Sequence, residues 1–236
     1  MQCRAKDAMA KRCFVQMLYP AVQGLGSSPS FADIRALVDT ASELFAQTDA
    51  APESVRGLWG ELFLLSRVND VQKTLACWRV QDTERYDFSD AEIRLEVKTT
   101  LGTSRVHVFS LEQLRPVDGV QVFVASILLQ PSAGGLRISE LVERIGEALT
   151  PAEYRSLLTR VNATLHGALY GEASLAFDEQ AALASLRFFS AADIPSVNPA
   201  LPPEVSGVHF RVDLTTVAPR QFGSGGNGLL SEFSCL

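Results

Sequence analysis

The sequence predicts a mixed α/β (α+β) domain built on one central sheet, and three observations carry that prediction. Apolar residues recur at helical spacing over 31–46 and again over 52–68. The stretch EIRLEVKTT, 92–100, alternates apolar and charged residues, as a strand with one buried face does. VQVFVASILL, 120–129, is apolar on both faces and suits the middle of a sheet.

Taken in order, residues 1–29 give no clear element and end in GLGSSPS, a Gly/Ser/Pro break. Ser30 can cap the helix that follows, whose stripe is Phe31, Ile34, Leu37, Val38, Ala41, Leu44 and Phe45. TDAAPES interrupts the chain before the second helix, 52–68. Three short strands are expected next: CWRV (77–80), RYDF (85–88) and EIRLEVKTT (92–100), the last closed by Gly102. SLEQL, 110–114, reads as a short helix capped by Ser110, and the strand at 120–129 follows it. ISELVERIGEAL and PAEYRSLLTRVNATL are amphipathic helices, the second with Pro151 in its first turn. Strand-like alternation returns at 172–177, 184–190 and 207–216.

At 236 residues, with 47% hydrophobic and 20% charged residues, the chain can bury a substantial core and lacks the signature of disorder. A net charge of −6 argues against a protein coated in base that grips any polyanion, though it leaves room for a local basic cleft. The four cysteines form no CxxC or Cys/His cluster, so neither a zinc knuckle nor a disulfide framework is expected. No run reaches the roughly 18–20 apolar residues of a membrane span, and no leader peptide is read at the N-terminus. A cytoplasmic location is the expectation, which makes the sequon at Asn162 irrelevant.

The chemistry concentrates in YDFSDAEIRLEVKTTLG, 86–102. Side chains two apart on a strand share a face, which sets Glu96 and Lys98 side by side, roughly 7 Å apart at Cα, with Val97 turned the other way. An antiparallel turn around 89–92 would bring Asp87 near Glu96. Two carboxylates held close repel unless a cation lies between them. Mg²⁺ takes hard oxygen ligands, needs only one or two carboxylates and leaves positions for water and phosphate, so it suits an Asp/Glu pair without His or Cys. Lys98 beside it could orient or help deprotonate an attacking water, or offset charge on the transition state. The plain alternative is a solvated strand face, since an ExK triplet is common.

These residues resemble the PD-(D/E)xK nuclease superfamily, whose restriction-endonuclease-like core runs helix, three strands, helix, strand. Asp87 stands for the first acid, with Tyr86 where the eponymous pattern has Pro, and Glu96-Val97-Lys98 stands for ExK. GLWGELFLL, YDF, EVKTT and FSLEQL look more particularly like bacterial PD-(D/E)xK proteins linked with restriction or phage defence, over roughly 52–150. The resemblance implies a metal held by Asp87, Glu96 and the backbone carbonyl of Val97, with Lys98 positioning the water. It also implies a third acid from the preceding helix.

Glu61 is the candidate, because it falls between Leu65 and Val68 at the margin of the face formed by Val55, Leu58, Trp59, Leu62, Phe63 and Leu65. The other reading pairs Glu61 with Arg56 or Arg67. Gln113 is either a contact to substrate or metal or a surface residue; Thr99 and Thr100 are either phosphate contacts or ordinary strand residues. His107, within RVHVFS, reads as a structural histidine. GSGGNG at 223–228 matches a dinucleotide fingerprint but leaves no room for the helix that motif requires.

The expected segments are an N-terminal helical part (1–51), the nuclease-like core (52–150), C-terminal helices and strands packed on the same domain (151–218), and a flexible tail (219–236). The expected function is a Mg²⁺-dependent DNA endonuclease, with Mn²⁺ able to substitute, in restriction or phage defence. The alternative is a catalytically inactive nuclease-fold subunit that binds nucleic acid or a partner protein. DNA and protein partners of a defence system are the expected ligands; no membrane is, and the oligomeric state stays open, a homodimer included.

Overall fold

The computed structural model describes residues 15, 18–19, 22–44, 52–79, 85–115, 119–165, 175–197, 202, 204–221 and 229–233. The chain divides into two compact units, one formed by 1–59 with 137–175 and the other by 60–136 with 176–236. The division falls within a helix, between Trp59 and Gly60.

The first unit is helical. Helix α1, Phe31–Leu44, starts where Ser30 Oγ accepts the Asp33 N–H at 3.2 Å and Asp33 Oδ2 accepts the Ser30 N–H at 2.9 Å, a reciprocal cap that satisfies two otherwise orphaned donors. Positions 45–46 lie outside the described residues. Helix α2, Pro52–Leu65, begins here and continues into the second unit. Helix α4, Ile138–Gly146, buries Leu141, Val142 and Ile145, and α5, Pro151–Thr164, buries Leu157, Leu158 and Val161. Thr150 caps α5 with Glu153 closing the box and Pro151 at the first turn, the signal its sequence carries.

The second unit holds a mixed four-stranded sheet in the order β1-β2-β4-β6: β1 Phe88–Ser89, β2 Ile93–Leu101, β4 Gln121–Leu129 and β6 Arg187–Ser190. Strands β2 and β4 run parallel from Ile93↔Gln121 to Leu101↔Leu129, while β1 and β6 flank them antiparallel. Strand β4 is central, as its two apolar faces predict, and buries Val122 through Ile127. The crossover from β2 to β4 carries β3, Val106–Ser110, and the 3₁₀ turn Leu111–Leu114, capped by Ser110. Strand β3 pairs antiparallel with β7, His209–Asp213, and closes a core of Tyr86, Phe109, Leu114, Val122, Val124, Phe189 and Val212. Strand β5, Pro131–Leu136, bridges to Phe177 at both ends. The mixed α/β fold class is as the sequence predicts, and the order helix, three strands, helical turn, strand is that of a restriction-endonuclease-like fold, although its third strand, β3, is not among those expected.

Several elements differ from the expectation. CWRV is not a strand: Asp70 accepts the Lys73 N–H at 2.9 Å and starts helix α3, Val71–Cys77, which ends at Cys77, leaving Trp78 as an isolated bridge to Phe88. Val80 lies outside the described residues. The first three strands are therefore β1, β2 and β3. RYDF joins the ladder only at Phe88, and the helix expected to reach Val68 stops at Leu65. The stretch 184–190 opens with the end of helix α6, Glu179–Ser185, because Asp178 accepts the Ala181 N–H at 2.8 Å. Of 172–177, residues 172–174 lie outside the described set.

The tail expected to be loose from Pro219 contributes to the core. Arg220 N–H donates to Phe188 O at 2.7 Å, and helix α7, Leu229–Glu232, with the following Phe233, buries Leu229 and Phe233 to 1% exposure. The stretch that includes GSGGNG is outside the described residues. No helix among the described residues is long and apolar enough to cross a membrane.

The buried crosslink between β3 and β4 yields a pH prediction. His107 Nε2 lies 2.7 Å from Ser126 Oγ, and burial, then Lys98 and Arg105, push its imidazole down to about 4. In the unfolded chain it titrates near 6.5, so between the two values only the unfolded state takes the proton. Its contribution is therefore full above the unfolded value and is lost as pH falls toward 4, about 3 kcal/mol over the whole interval. Urea unfolding at pH 7 and pH 4.5 should show His107→Gln losing less stability on acidification than the wild type; parallel losses contradict the assignment.

Candidate active site

Strand pairing sets the first two acids together. The register Phe88↔Leu95, Ser89↔Arg94, continued by one residue, puts Asp87 opposite Glu96. The ladder stops at Phe88, so the Val97 N–H has no strand partner on that side. Asp87 Oδ2 accepts it instead, at 2.7 Å, which fixes the carboxylate against β2.

Glu96 and Lys98 share the other functional face of β2. Lys98 Nζ stands 2.8 Å from Glu96 Oε1 and 5.3 Å from the Phe109 ring centroid. Gln113 Nε2 donates to the same Glu96 Oε1 at 2.7 Å, and Gln113 Oε1 accepts the Ser110 N–H at 3.0 Å and lies 3.4 Å from Lys98 Nζ. The residue that closes the cap of the 3₁₀ turn thus also orients the Glu96–Lys98 pair. It is not a loose surface glutamine.

Glu61 arrives from α2, which approaches β2 at Gly60: a Cβ there would lie 2.4 Å from Thr99 Cγ2 and 3.3 Å from Val97 Cγ1. The Glu61 side chain is 3% exposed, and its partners are neither Arg56, which faces Glu53, nor Arg67, which pairs with Glu179. They are Trp78 and Arg79. Trp78 Nε1 and Arg79 Nε donate to Oε2, each at 2.7 Å, and Arg79 Nη2 donates to Oε1 at 2.6 Å. The same Nη2 stands 3.8 Å from Asp87 Oδ1. Arg79 holds a left-handed backbone, φ 42°, anchored by its N–H on Asp87 O at 2.9 Å. For a residue with a Cβ this conformation costs on the order of 1–3 kcal/mol, a strain that its surroundings sustain.

Three carboxylates, Glu61, Asp87 and Glu96, therefore interact with two cations, Arg79 and Lys98. Burial, then Glu61 and Glu96, hold the Asp87 carboxyl well above the usual carboxylate range, against the pull of the Val97 N–H and Arg79. Burial also raises Glu96, with Lys98 opposing it. Burial works against the Arg79 charge, but Glu61, Asp87 and Glu96 together hold its guanidinium above the ordinary value.

The donor set suits a hard divalent cation. Asp87 Oδ1 and Glu96 Oε2 accept no hydrogen bond among the described residues; the hydrogen-bond partners of each carboxylate lie on its other oxygen. A cation of the Mg²⁺ kind needs only one or two such carboxylate oxygens and leaves its other positions to further oxygen ligands and water. Among the described residues no three acidic, His or Cys side chains are disposed to hold a metal, since Glu61 gives both oxygens to Trp78 and Arg79.

The structure thus brings Glu61, Asp87, Glu96 and Lys98 into one volume with Val97 and Gln113. It turns Thr99 toward α2 and leaves the Thr100 hydroxyl on the Leu101 carbonyl. Sequence reasoning missed Arg79 and Trp78. A charge count carried the signal: three acids meeting one lysine require a further cation.

A family model described as "Putative PD-(D/E)XK family member, (DUF4420)" matches residues 4–215. Neither the curated proteins nor the solved structures yield a match to the chain.

Proposed function

The chain belongs to this PD-(D/E)XK family, and from that premise we propose that it is a Mg²⁺-dependent DNA endonuclease serving restriction or phage defence. The observation that carries the reading is the carboxylate of Asp87, fixed on the Val97 N–H at 2.7 Å and set in register opposite Glu96, with Lys98 Nζ 2.8 Å from Glu96.

Asp87 Oδ1, Glu96 Oε2 and the Val97 carbonyl are the groups that would hold the ion. When bound, it supplies Lewis acidity to the scissile phosphodiester and lowers the pKa of a water. Lys98, as an ammonium, only donates hydrogen bonds; it orients the attacking water and offsets charge growing on the phosphate. The water oxygen bonds to phosphorus as the bond from phosphorus to the leaving sugar oxygen breaks. Glu61 assists in holding the ion or in accepting the water's proton. Arg85, exposed two positions before Asp87, offers a phosphate contact beside the site.

The test is cleavage of supercoiled, linear and single-stranded DNA with Mg²⁺ or Mn²⁺, compared among wild type, Lys98→Ala and Asp87→Asn. Cutting by the wild type that falls about 10²-fold or more in both variants supports the reading. Intact DNA under every condition defeats it. A second reading, a nuclease fold that binds nucleic acid or a partner without cutting, is favoured by the commitment of both Glu61 oxygens to Trp78 and Arg79. It requires DNA or partner binding that does not depend on metal.

A further inference from the structure

We propose that Arg79 is a guanidinium latch on Glu61, one that a divalent ion must drive off before Glu61 can join the site. The inference rests on the metal-dependent reading above and concerns a residue that reading leaves without a role.

The geometry makes the two cations competitors. The planar fork of Arg79 spans both Glu61 oxygens, at 2.7 and 2.6 Å, and with Trp78 fills Oε2, so an ion approaching Glu61 at Oε1 meets the guanidinium while the fork is in place. The same guanidinium stands 3.8 Å from Asp87 Oδ1, one of the two carboxylate oxygens with no hydrogen bond among the described residues. An ion ligated by that oxygen at about 2.1 Å would lie within roughly 6 Å of the Arg79 charge. Like charges that close, in a site where Glu61 is 3% exposed, repel strongly.

The latch also has a way out. The Arg79 side chain is 33% exposed, unlike Glu61, so it can leave toward water without carrying a charge through the core. Its backbone, at φ 42°, sits in a region that residues with a Cβ rarely occupy. That conformation is over-determined by the fork on Glu61, the N–H bond to Asp87 O and the neighbouring Trp78–Phe88 bridge. Removing the fork removes one of these restraints, which is how a strained segment becomes a two-state element.

The consequence is that metal affinity is divided by the fraction of molecules whose latch is open. Arg79 keeps the carboxylates compensated at low metal and releases Glu61 only as the ion enters.

The experiment is a Mn²⁺ titration of the full chain followed by the paramagnetic resonance of free Mn²⁺, for wild type, Arg79→Gly and Asp87→Asn, with thermal unfolding as the folding control. Glycine suits the left-handed backbone. Arg79→Gly is expected to bind Mn²⁺ at least about tenfold more tightly than wild type, and Asp87→Asn not to bind. On the wild type alone, the ¹⁵Nε–¹H signal of Arg79 is expected to shift or vanish at saturating Mg²⁺, a readout that does not depend on any variant folding. Equal or weaker Mn²⁺ binding by folded Arg79→Gly, or an Nε–H signal unmoved by Mg²⁺, overturns the latch and leaves the metal site standing. Absence of Asp87-dependent Mn²⁺ binding in both wild type and Arg79→Gly removes the metal-dependent reading, and the latch falls with it.

Discussion

Asp87→Asn is expected to give a folded protein, more heat-stable than the wild type in the absence of metal, that neither binds Mn²⁺ nor cuts DNA. The amide oxygen of asparagine can still accept the Val97 N–H that Asp87 Oδ2 accepts at 2.7 Å. What disappears is a negative charge that burial, Glu61 and Glu96 all oppose. The sign follows from linkage. Because the folded carboxyl titrates well above 3.8, the unfolded chain releases its proton first, and metal-free stability falls as pH rises from about that value through the raised folded range. Asparagine has no such penalty, so its advantage over the wild type grows with pH. Asp87→Ala differs, since it also strands the Val97 N–H, at a cost of about 1–3 kcal/mol. Thermal unfolding in EDTA at pH 5 and pH 8 separates the three proteins. A wild type more stable than Asp87→Asn at pH 8 would mean that Arg79 attracts the carboxylate more than its neighbours repel it.

The parts of this fold legible in the sequence are those whose signal is local. β2 and β4 follow from alternation and from a doubly apolar run, and the caps at Ser30, Ser110 and Thr150 each stand three residues before an Asp, Gln or Glu that closes them. The juxtaposition of Asp87 with Glu96 needs only a tight antiparallel turn, and Asp90 supplies it by accepting the Glu92 and Ile93 N–H groups on Oδ1, at 2.9 and 2.7 Å. Elements that depend on distant partners were not legible. Helix α3 is short, and Glu232, far along the chain, accepts both the Asp70 N–H and Lys73 Nζ, at 3.0 and 2.7 Å. Arg79 carries no local pattern, because its role is defined by Glu61 on helix α2 and by a backbone angle that sequence does not announce. The C-terminal stretch reads as loose from its glycines, yet Leu229 and Phe233, four apart, are the one-turn stripe of a helix that packs.

That stripe sets the second large effect. Phe233→Ala should destabilise the protein by about 3–5 kcal/mol, the cost of emptying a fully buried aromatic site. The Phe233 ring is 1% exposed and meets Phe88 edge-on and Phe188 at a tilt, each with centroids 6.0 Å apart. Phe88 is the first residue of β1 and follows Asp87 directly, while Phe188 lies on β6 at the opposite edge of the same sheet. Helix α7 is fastened independently, by the Leu229 N–H on Asp90 Oδ2 at 2.7 Å and by Glu232 on Lys73 at 2.7 Å. Losing the ring therefore leaves α7 attached and opens a cavity behind β1, so the ladder that sets Asp87 opposite Glu96 loosens. Denaturant unfolding should show the loss in full, and Mn²⁺ affinity should fall with it while the Asp87, Glu96 and Lys98 side chains remain unchanged. Lys73→Ala, whose ion pair is half exposed at the lysine, should cost no more than about 1 kcal/mol and leave Mn²⁺ binding intact. If Phe233→Ala proves as mild as Lys73→Ala, the C-terminal helix covers the sheet without supporting it.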